Sequence, residues 1–214
     1  MYPTTSRDAL ILGSGGDVPL HPPNFAQEYQ PLVICADGGA ALAHKWNLRP
    51  DIVVGDQDSL QPETKEYWRD LGVPFYRVSE VKDETDMELA VNYALRQGAR
   101  RITMVGGWGS RIDHSLGNIE LLHRLAQAKM ENLLITREHQ LSAFVGEFSV
   151  HVKEGAYVSL IPLSDEVRGV CTEGLRYPLE GATLSRGSTL TISNSADQSR
   201  ISLRSEAGVL LVVF

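Results

Sequence analysis

Two carboxylates one residue apart, Asp56 and Asp58 in Gly55-Asp56-Gln57-Asp58-Ser59, directly follow the apolar run Ile52-Val53-Val54. Such a run reads as a buried strand, and open α/β sheets gather their ligands at the carboxyl ends of strands. Two anions held that close repel each other unless a hard cation relieves them. Magnesium suits the position, because it takes one or two carboxylates and fills its shell with water and substrate phosphate. A second acidic element follows, Lys82-Asp83-Glu84-Thr85-Asp86, and then a third, Arg111-Ile112-Asp113-His114. Together the three predict a site for a magnesium-bound polyphosphate.

Each element also has a plainer use. Asp58 and Ser59 are good helix caps. Asp83 and Asp86 bracket a predicted helix start, where acids complement the helix dipole whatever the function. Lys82 is either a solvated charge or a phosphate contact. Gly106-Gly107-Trp108-Gly109-Ser110-Arg111 joins a predicted strand to a predicted helix. Glycines there let backbone N–H groups approach phosphate oxygens, and Arg111 can grip a phosphate at two points. The loop lacks the Gly-Lys-[Ser/Thr] ending of a Walker A motif. Asp113 then orients Arg111, binds metal or caps the helix. Gly13-Ser14-Gly15-Gly16 lacks the third glycine of a dinucleotide fingerprint, and Pro19, Pro22 and Pro23 oppose the helix that should follow. No zinc-ligand spacing and no nucleophile–histidine pairing stands above chance.

The elements that must carry these residues alternate. Strands are predicted at 9–12, 32–35, 52–54, 73–78, 102–105 and 133–135, and helices at 40–46, 62–71, 85–97 and 113–130. The helix at 85–97 is the clearest, with Thr85 and Glu88 at capping-box spacing and Gly98 as its stop. Repeated strand–loop–helix units imply an α/β domain with a mostly parallel sheet covered on both faces. The pattern changes near 137–147. Beyond it, short apolar runs at 157–161, 189–192 and 209–213, punctuated by glycine, predict a small all-β sandwich. The expected domains are therefore 1–140 and 141–214. A tail of roughly 70 residues is small for an independent sandwich, which favours a homodimer that adds core through this region.

The 214 residues are 43% hydrophobic and 22% charged, an ordinary globular composition, with a formal net charge of −7. That charge argues against a nucleic-acid partner, which needs a basic face. It fits a site where cations neutralise several acids. No apolar run approaches the roughly 20 residues of a membrane span. The N-terminus lacks the plan of a signal peptide, and two distant cysteines, Cys35 and Cys171, form no disulfide framework. A cytoplasmic setting away from membranes is the expectation.

Taken in order, Ala36-Asp37-Gly38-Gly39-Ala40, Gly55 to Ser59, Lys82 to Ala90, Gly109 to His114 with Asn118, and Ile192-Ser193-Asn194 resemble the thiamine pyrophosphokinase family. The resemblance covers nearly the whole chain. It implies diphosphate transfer from ATP to the hydroxyl of thiamine, giving thiamine diphosphate and AMP. It also implies magnesium held by Asp58, Asp83 and Asp86 with Asp56 beside them. Asp37, Gly38, Lys82, Thr85, Arg111, Asp113 and Asn118 then belong to the nucleotide and phosphate site, with Asp113 a candidate proton acceptor. Tyr177, Ser193 and Asn194 are implied to contact thiamine, at a dimer interface. The family often has Glu where Ser195 stands and Phe where Gln57 stands, and animal relatives frequently have Trp at the position of Tyr177. Two other readings use the same acids: a related diphosphokinase acting on a hydroxymethylpterin, and a non-catalytic nucleotide-binding regulator.

Overall fold

The computed structural model describes residues 8–56, 58, 60–77 and 83–214. It divides into two compact units, 1–121 with 134–138, and 122–133 with 139–214. In the first unit the strands are β1 (Asp8–Leu12), β2 (Leu32–Ala36), β3 (Ile52–Gly55), β4 (Phe75–Arg77) and β5 (Arg101–Val105). All their pairings are parallel, in the order β5-β1-β2-β3-β4. The continuous apolar runs explain this. Leu10, Ile11 and Leu12 of β1 are fully buried in succession, as a strand covered on both faces requires.

Between the strands lie α1 (Phe25–Glu28), α2 (Gly39–Lys45), α3 (Pro62–Asp70) and α4 (Asp86–Arg96). Leu10, Leu12, Cys35 and Val53 share one cluster with Ala40 and Ala43 of α2 and Trp68 of α3. The Trp68 indole donates to the Ala40 carbonyl at 3.0 Å, so this large ring is buried with its polar atom satisfied. By strand alternation Ile11 and Ile34 point to the opposite face, and α4 packs on β1, β2 and β3. The one-turn α1 follows Pro22 and Pro23 and has no strong apolar period, so the sequence did not announce it. The strand expected at 73–78 is β4 at 75–77, with Val78 outside the described residues.

Helix α5 (Ile112–Gln127) stops three residues short of the expected Met130. Lys129 takes a left-handed φ of 56°, and Met130 N–H reaches back to the Leu125 carbonyl at 2.9 Å, which closes the helix in a Schellman turn. Strand β6 (Glu131–Ile135) follows. Residues 122–133 belong with the second unit because the buried Asn132 amide pairs in both directions with Ala143. Its Nδ2 donates to the Ala143 carbonyl at 2.8 Å, and Ala143 N–H donates to its Oδ1 at 2.9 Å.

The second unit continues with β7 (Gln140–Phe144), β8 (Glu147–His151), β9 (Tyr157–Pro162), β10 (Glu166–Glu173), β11 (Ala182–Ser185), β12 (Asn194–Ser195), β13 (Arg200–Arg204) and β14 (Leu210–Val213). These pair antiparallel in two groups, β12-β9-β14-β7 and β11-β10-β13-β8. Val158, Leu160 and Leu210 from the first group form one core with Val167, Ile201 and Leu203 from the second, which is the all-β sandwich. No helix follows α5 among the described residues.

The run 189–192 is a turn and not the expected strand. Thr191 Oγ1 donates to the Leu160 carbonyl at 2.6 Å, and Ile192 N–H closes onto the Thr189 carbonyl at 3.2 Å. Leu190 is left 79% exposed, so its apolar character marks surface where the pattern predicted core. No helix of the described residues is long and apolar enough to cross a membrane.

Candidate functional site

Sheet order decides where the site lies. β1 and β5 are neighbours, while β2 lies on the other side of β1. The chain therefore leaves β1 and β5 in opposite directions, the switch point at which open α/β sheets hold ligands. A cavity of about 460 Å³ opens there, beyond the carboxyl ends of β1, β2, β3 and β5. The loop after β1 and the loop after β5 form its walls. Gly13 N–H donates to the Val105 carbonyl at 2.7 Å and Gly15 N–H to that of Gly106 at 2.8 Å, which continues the β1–β5 ladder past the strands. A side chain on Gly15 would collide with the Trp108 carbonyl oxygen, so glycine there serves loop-on-loop packing.

The acids line the same cavity. Asp37 follows β2 directly, is 5% exposed, and carries a left-handed φ of 42°. Its N–H donates to the Val54 carbonyl at 2.8 Å, which brings it level with the end of β3. Asp56 follows β3, and its Oδ1 accepts from Asp58 N–H at 3.2 Å in a local turn. Asp37, Asp56 and Asp58 each present one carboxylate oxygen within 4.8 Å of the others. Asp86 opens α4 and also lines the cavity. Thr85 caps this helix, its Oγ1 accepting from Glu88 N–H at 3.2 Å, so the N-cap sets where Asp86 projects.

Gly55 makes room for this concentration of charge. Its φ is +145°, and a β-carbon there would stand 2.9 Å from Asp37 Cβ and 3.0 Å from Asp86 Oδ1. The first glycine of the Gly55-Asp56 motif is thus a steric requirement of the carboxylates on either side of it.

Arg111 and Asn118 line the cavity as well. Arg111 is gripped by Asp113 at two points, Nε to Oδ1 at 3.0 Å and Nη2 to Oδ2 at 2.6 Å. That bond raises the guanidinium further and holds the Asp113 carboxyl well below its ordinary range. The buried Asn118 donates through Nδ2 to the Gly107 carbonyl at 2.6 Å. Asp83, Gly38, Thr85 and Asp113 do not line the cavity, and exposed Asp83 is not among the three clustered carboxylates. Lys82 and Gln57 lie outside the described residues. Sequence reasoning singled out the Gly106–Arg111 loop, Trp108 included, but missed Ser14, Met87 and Ser115 as cavity lining. The only available signal was the position of both glycine loops after buried strands, since β1–β5 adjacency is invisible locally.

In the second unit, Tyr177, Ser193 and Asn194 come together. Asn194 Oδ1 accepts from the N–H groups of Tyr177 at 3.1 Å and Ser195 at 2.8 Å, and its Nδ2 donates to the Tyr177 carbonyl at 2.8 Å. Ser193 has a φ of 60°, and its N–H donates to Ser159 Oγ at 2.9 Å. The Tyr177 ring is left 67% exposed.

Residues 26–134 match the family model "Thiamin pyrophosphokinase, catalytic domain", and residues 145–210 match "Thiamin pyrophosphokinase, vitamin B1 binding domain". The chain belongs to the thiamin pyrophosphokinase family. The thiamine pyrophosphokinase of Bacillus subtilis is 30% identical over 184 residues, 85% of this chain and 86% of that protein. A crystal structure of the Bacillus subtilis enzyme superposes with a TM-score of 0.85 over 96% of this chain and 97% of that one, at 27% identity. The thiamin pyrophosphokinase of Geobacillus thermodenitrificans gives 0.82 at 31% identity over 96% of each chain. The cavity acids of this thiamin pyrophosphokinase, Asp37, Asp56, Asp58 and Asp86, lie inside the stretch that matches the catalytic model, while the glycine loop after β1 precedes it. Tyr177 and Asn194 lie inside the stretch that matches the vitamin-binding model.

Proposed function

We propose that this protein transfers the diphosphoryl group of ATP to the hydroxyl of thiamine, releasing AMP, with magnesium as its metal. The observation that carries the reading is the gathering of Asp37, Asp56 and Asp58 at the switch-point cavity, with Asp86 on its wall. Clustered carboxylate oxygens without histidine or cysteine are a hard donor set, which fits magnesium and not a softer metal. Asp37, Asp56, Asp58 and Asp86 would hold it, and exposed Asp83 remains a candidate ligand by resemblance. Bound there, magnesium would neutralise phosphate charge and act as a Lewis acid toward the phosphoryl oxygens.

The chain's own groups do the positioning. Attack on the β-phosphorus with AMP leaving spreads negative charge over several oxygens, and catalysis is then chiefly orientation and charge stabilisation. The Arg111 guanidinium supplies fixed positive charge at the cavity wall. Asp113 aims that guanidinium. Its low proton affinity makes it a poor proton acceptor, so we assign it to orientation. Lys82, Gly38, Thr85 and Asn118 remain assigned to the nucleotide side, Thr85 by placing Asp86 and Asn118 by shaping the loop.

Thiamine carries a cationic thiazolium, which an aromatic face attracts. Tyr177, with Ser193 and Asn194, is assigned to thiamine. Tyr157, Tyr177, Leu190 and Ile192 of the second unit are all exposed, and a second copy of the chain is the proposed cover for them. Large apolar side chains left exposed are candidates for an interaction surface. A cytoplasmic setting completes the proposal. The match of 145–210 to a vitamin B1 binding domain favours thiamine over a pterin acceptor.

The test is AMP release from ATP and magnesium, with and without thiamine, with the product identified by mass. Thiamine-dependent AMP together with thiamine diphosphate is the expected result. Tight ATP binding without thiamine-dependent AMP would leave the regulator reading in its place.

A further inference from the structure

The loop from Gly106 to Arg111 is fastened at every second residue by two side chains of α5. Asn118 takes the Gly107 carbonyl at 2.6 Å. Ser115, only 2% exposed, accepts from Gly109 N–H at 3.2 Å and donates to the Arg111 carbonyl at 3.1 Å. Ser115 and Asn118 are three residues apart and so share one face of the helix. From the other side, Asp17 N–H donates to the Trp108 carbonyl at 3.3 Å.

A serine in a helix commonly bonds the carbonyl four residues back, as Ser115 does with Arg111, and that bond alone would be unremarkable. The Gly109 N–H sets Ser115 apart. A hydroxyl has one hydrogen and can accept as well. Ser115 uses both functions to tie Gly109 and Arg111 together, two residues apart on the strand-to-helix turn. Gly109 is packed closely, since a β-carbon there would stand 2.9 Å from Gly16 N. The turn therefore has little freedom to rearrange, and the Arg111 backbone leaves it in one direction.

We propose that Ser115 is a positioning residue for the nucleotide phosphates, fixing the Gly109–Arg111 turn so that the Arg111 guanidinium is preset toward the cavity before ATP arrives. This rests on the diphosphotransfer reading of the site. Preorganisation of this kind acts on the ATP side and leaves the thiamine contacts of the second unit untouched. It also removes Gly109 N–H from the set of donors offered to phosphate.

Ser115→Ala tests the proposal. The KM for ATP should rise by about tenfold, the scale of one lost hydrogen bond at a charged site, while that for thiamine stays within about twofold. Ser115→Thr, which keeps the hydroxyl, should restore most of the ATP affinity. In the unliganded wild-type protein the Gly109 amide should exchange slowly with deuterium, and Ser115→Ala should abolish that protection. An unchanged KM for ATP in Ser115→Ala, or fast exchange at Gly109 in the wild type, would overturn the proposal. The wild-type exchange measurement decides the point even if Ser115→Ala does not fold. Absence of thiamine-dependent AMP from the wild type would instead sink the reaction. ATP titration by calorimetry and Gly109 exchange would still read the clamp.

Discussion

Arg111 and Asp113 are locked in a two-point ion pair, Nε to Oδ1 at 3.0 Å and Nη2 to Oδ2 at 2.6 Å, at the edge of the acid-lined cavity. Both side chains are exposed, so the pair contributes orientation more than stability. Its hydrogen bond to Arg111 lowers the Asp113 carboxyl below its ordinary value of 3.8. A carboxyl depressed in the folded state contributes above its unfolded value and loses that contribution as pH falls through the lowered one. The pair is therefore fully ionised from about pH 5 upward. Asp113→Asn should lower kcat/KM for ATP by about tenfold at every pH from about 5 to 9, with no inflection gained or lost. An inflection near neutrality that vanishes in Asp113→Asn would show Asp113 acting as an acid or base.

The acids around Gly55 predict a sharp metal dependence. Asp86→Asn should cut turnover by roughly 10²–10³, the scale for removing one preorganised electrostatic group. Asp37→Asn should behave similarly and raise the magnesium concentration needed for half-maximal rate. Chelation with EDTA should stop AMP formation, and added magnesium should restore it. Normal turnover of Asp37→Asn at low magnesium would exclude Asp37 from the metal site.

Gly55→Ala should fail in two ways at once. A φ of +145° strains any L-residue, and the new methyl meets Asp37 and Asp86. The expected loss is about 1–3 kcal/mol of unfolding free energy, read by denaturant titration. Turnover should fall far more than stability, because the methyl displaces two cavity carboxylates. Wild-type stability in the variant would contradict the steric account.

Tyr177 should report on thiamine alone. Tyr177→Ala is expected to raise the KM for thiamine about tenfold and leave that for ATP unchanged. Asn194→Ala should do the same through loss of the three bonds that hold the Tyr177 and Ser195 backbone. Sedimentation equilibrium of the wild type should give a dimer, and charged substitutions at Leu190 and Ile192 should weaken it.

The cysteines should differ in reactivity. Cys35 is fully buried in β2, and burial pushes its thiol far above the ordinary range. The thiolate is the reactive form, so Cys35 should resist iodoacetamide in the native protein at about pH 8. Cys171 is only partly buried and should label first. Peptide mapping after alkylation distinguishes the two.

Much of this was written locally in the chain. The unbroken apolar runs at 9–12, 32–35 and 52–54 require strands covered on both faces, hence a parallel sheet with helices. Thr85 and Glu88 set the start of α4 through contacts three residues apart, so Asp86 could be placed from sequence. Asp56 and Asp58 follow β3 directly and share one turn. Capping, turns and strand period depend on near neighbours, and near neighbours are what a sequence displays.

Only tertiary structure decided which acids meet. Asp37 joins Asp56 and Asp58 because β2 pairs with β3 in a register that sets Ala36 against Val54. The glycine loops after β1 and β5 close one cavity because those strands are neighbours, with Leu12 opposite Val105. The turn at 189–192 has the apolar pattern of a strand, but Thr191 bonds Leu160, thirty-one residues away, and Leu190 faces out. Strand order and register come from long-range pairing and shared core. The same local pattern fits several such arrangements, and packing selects among them.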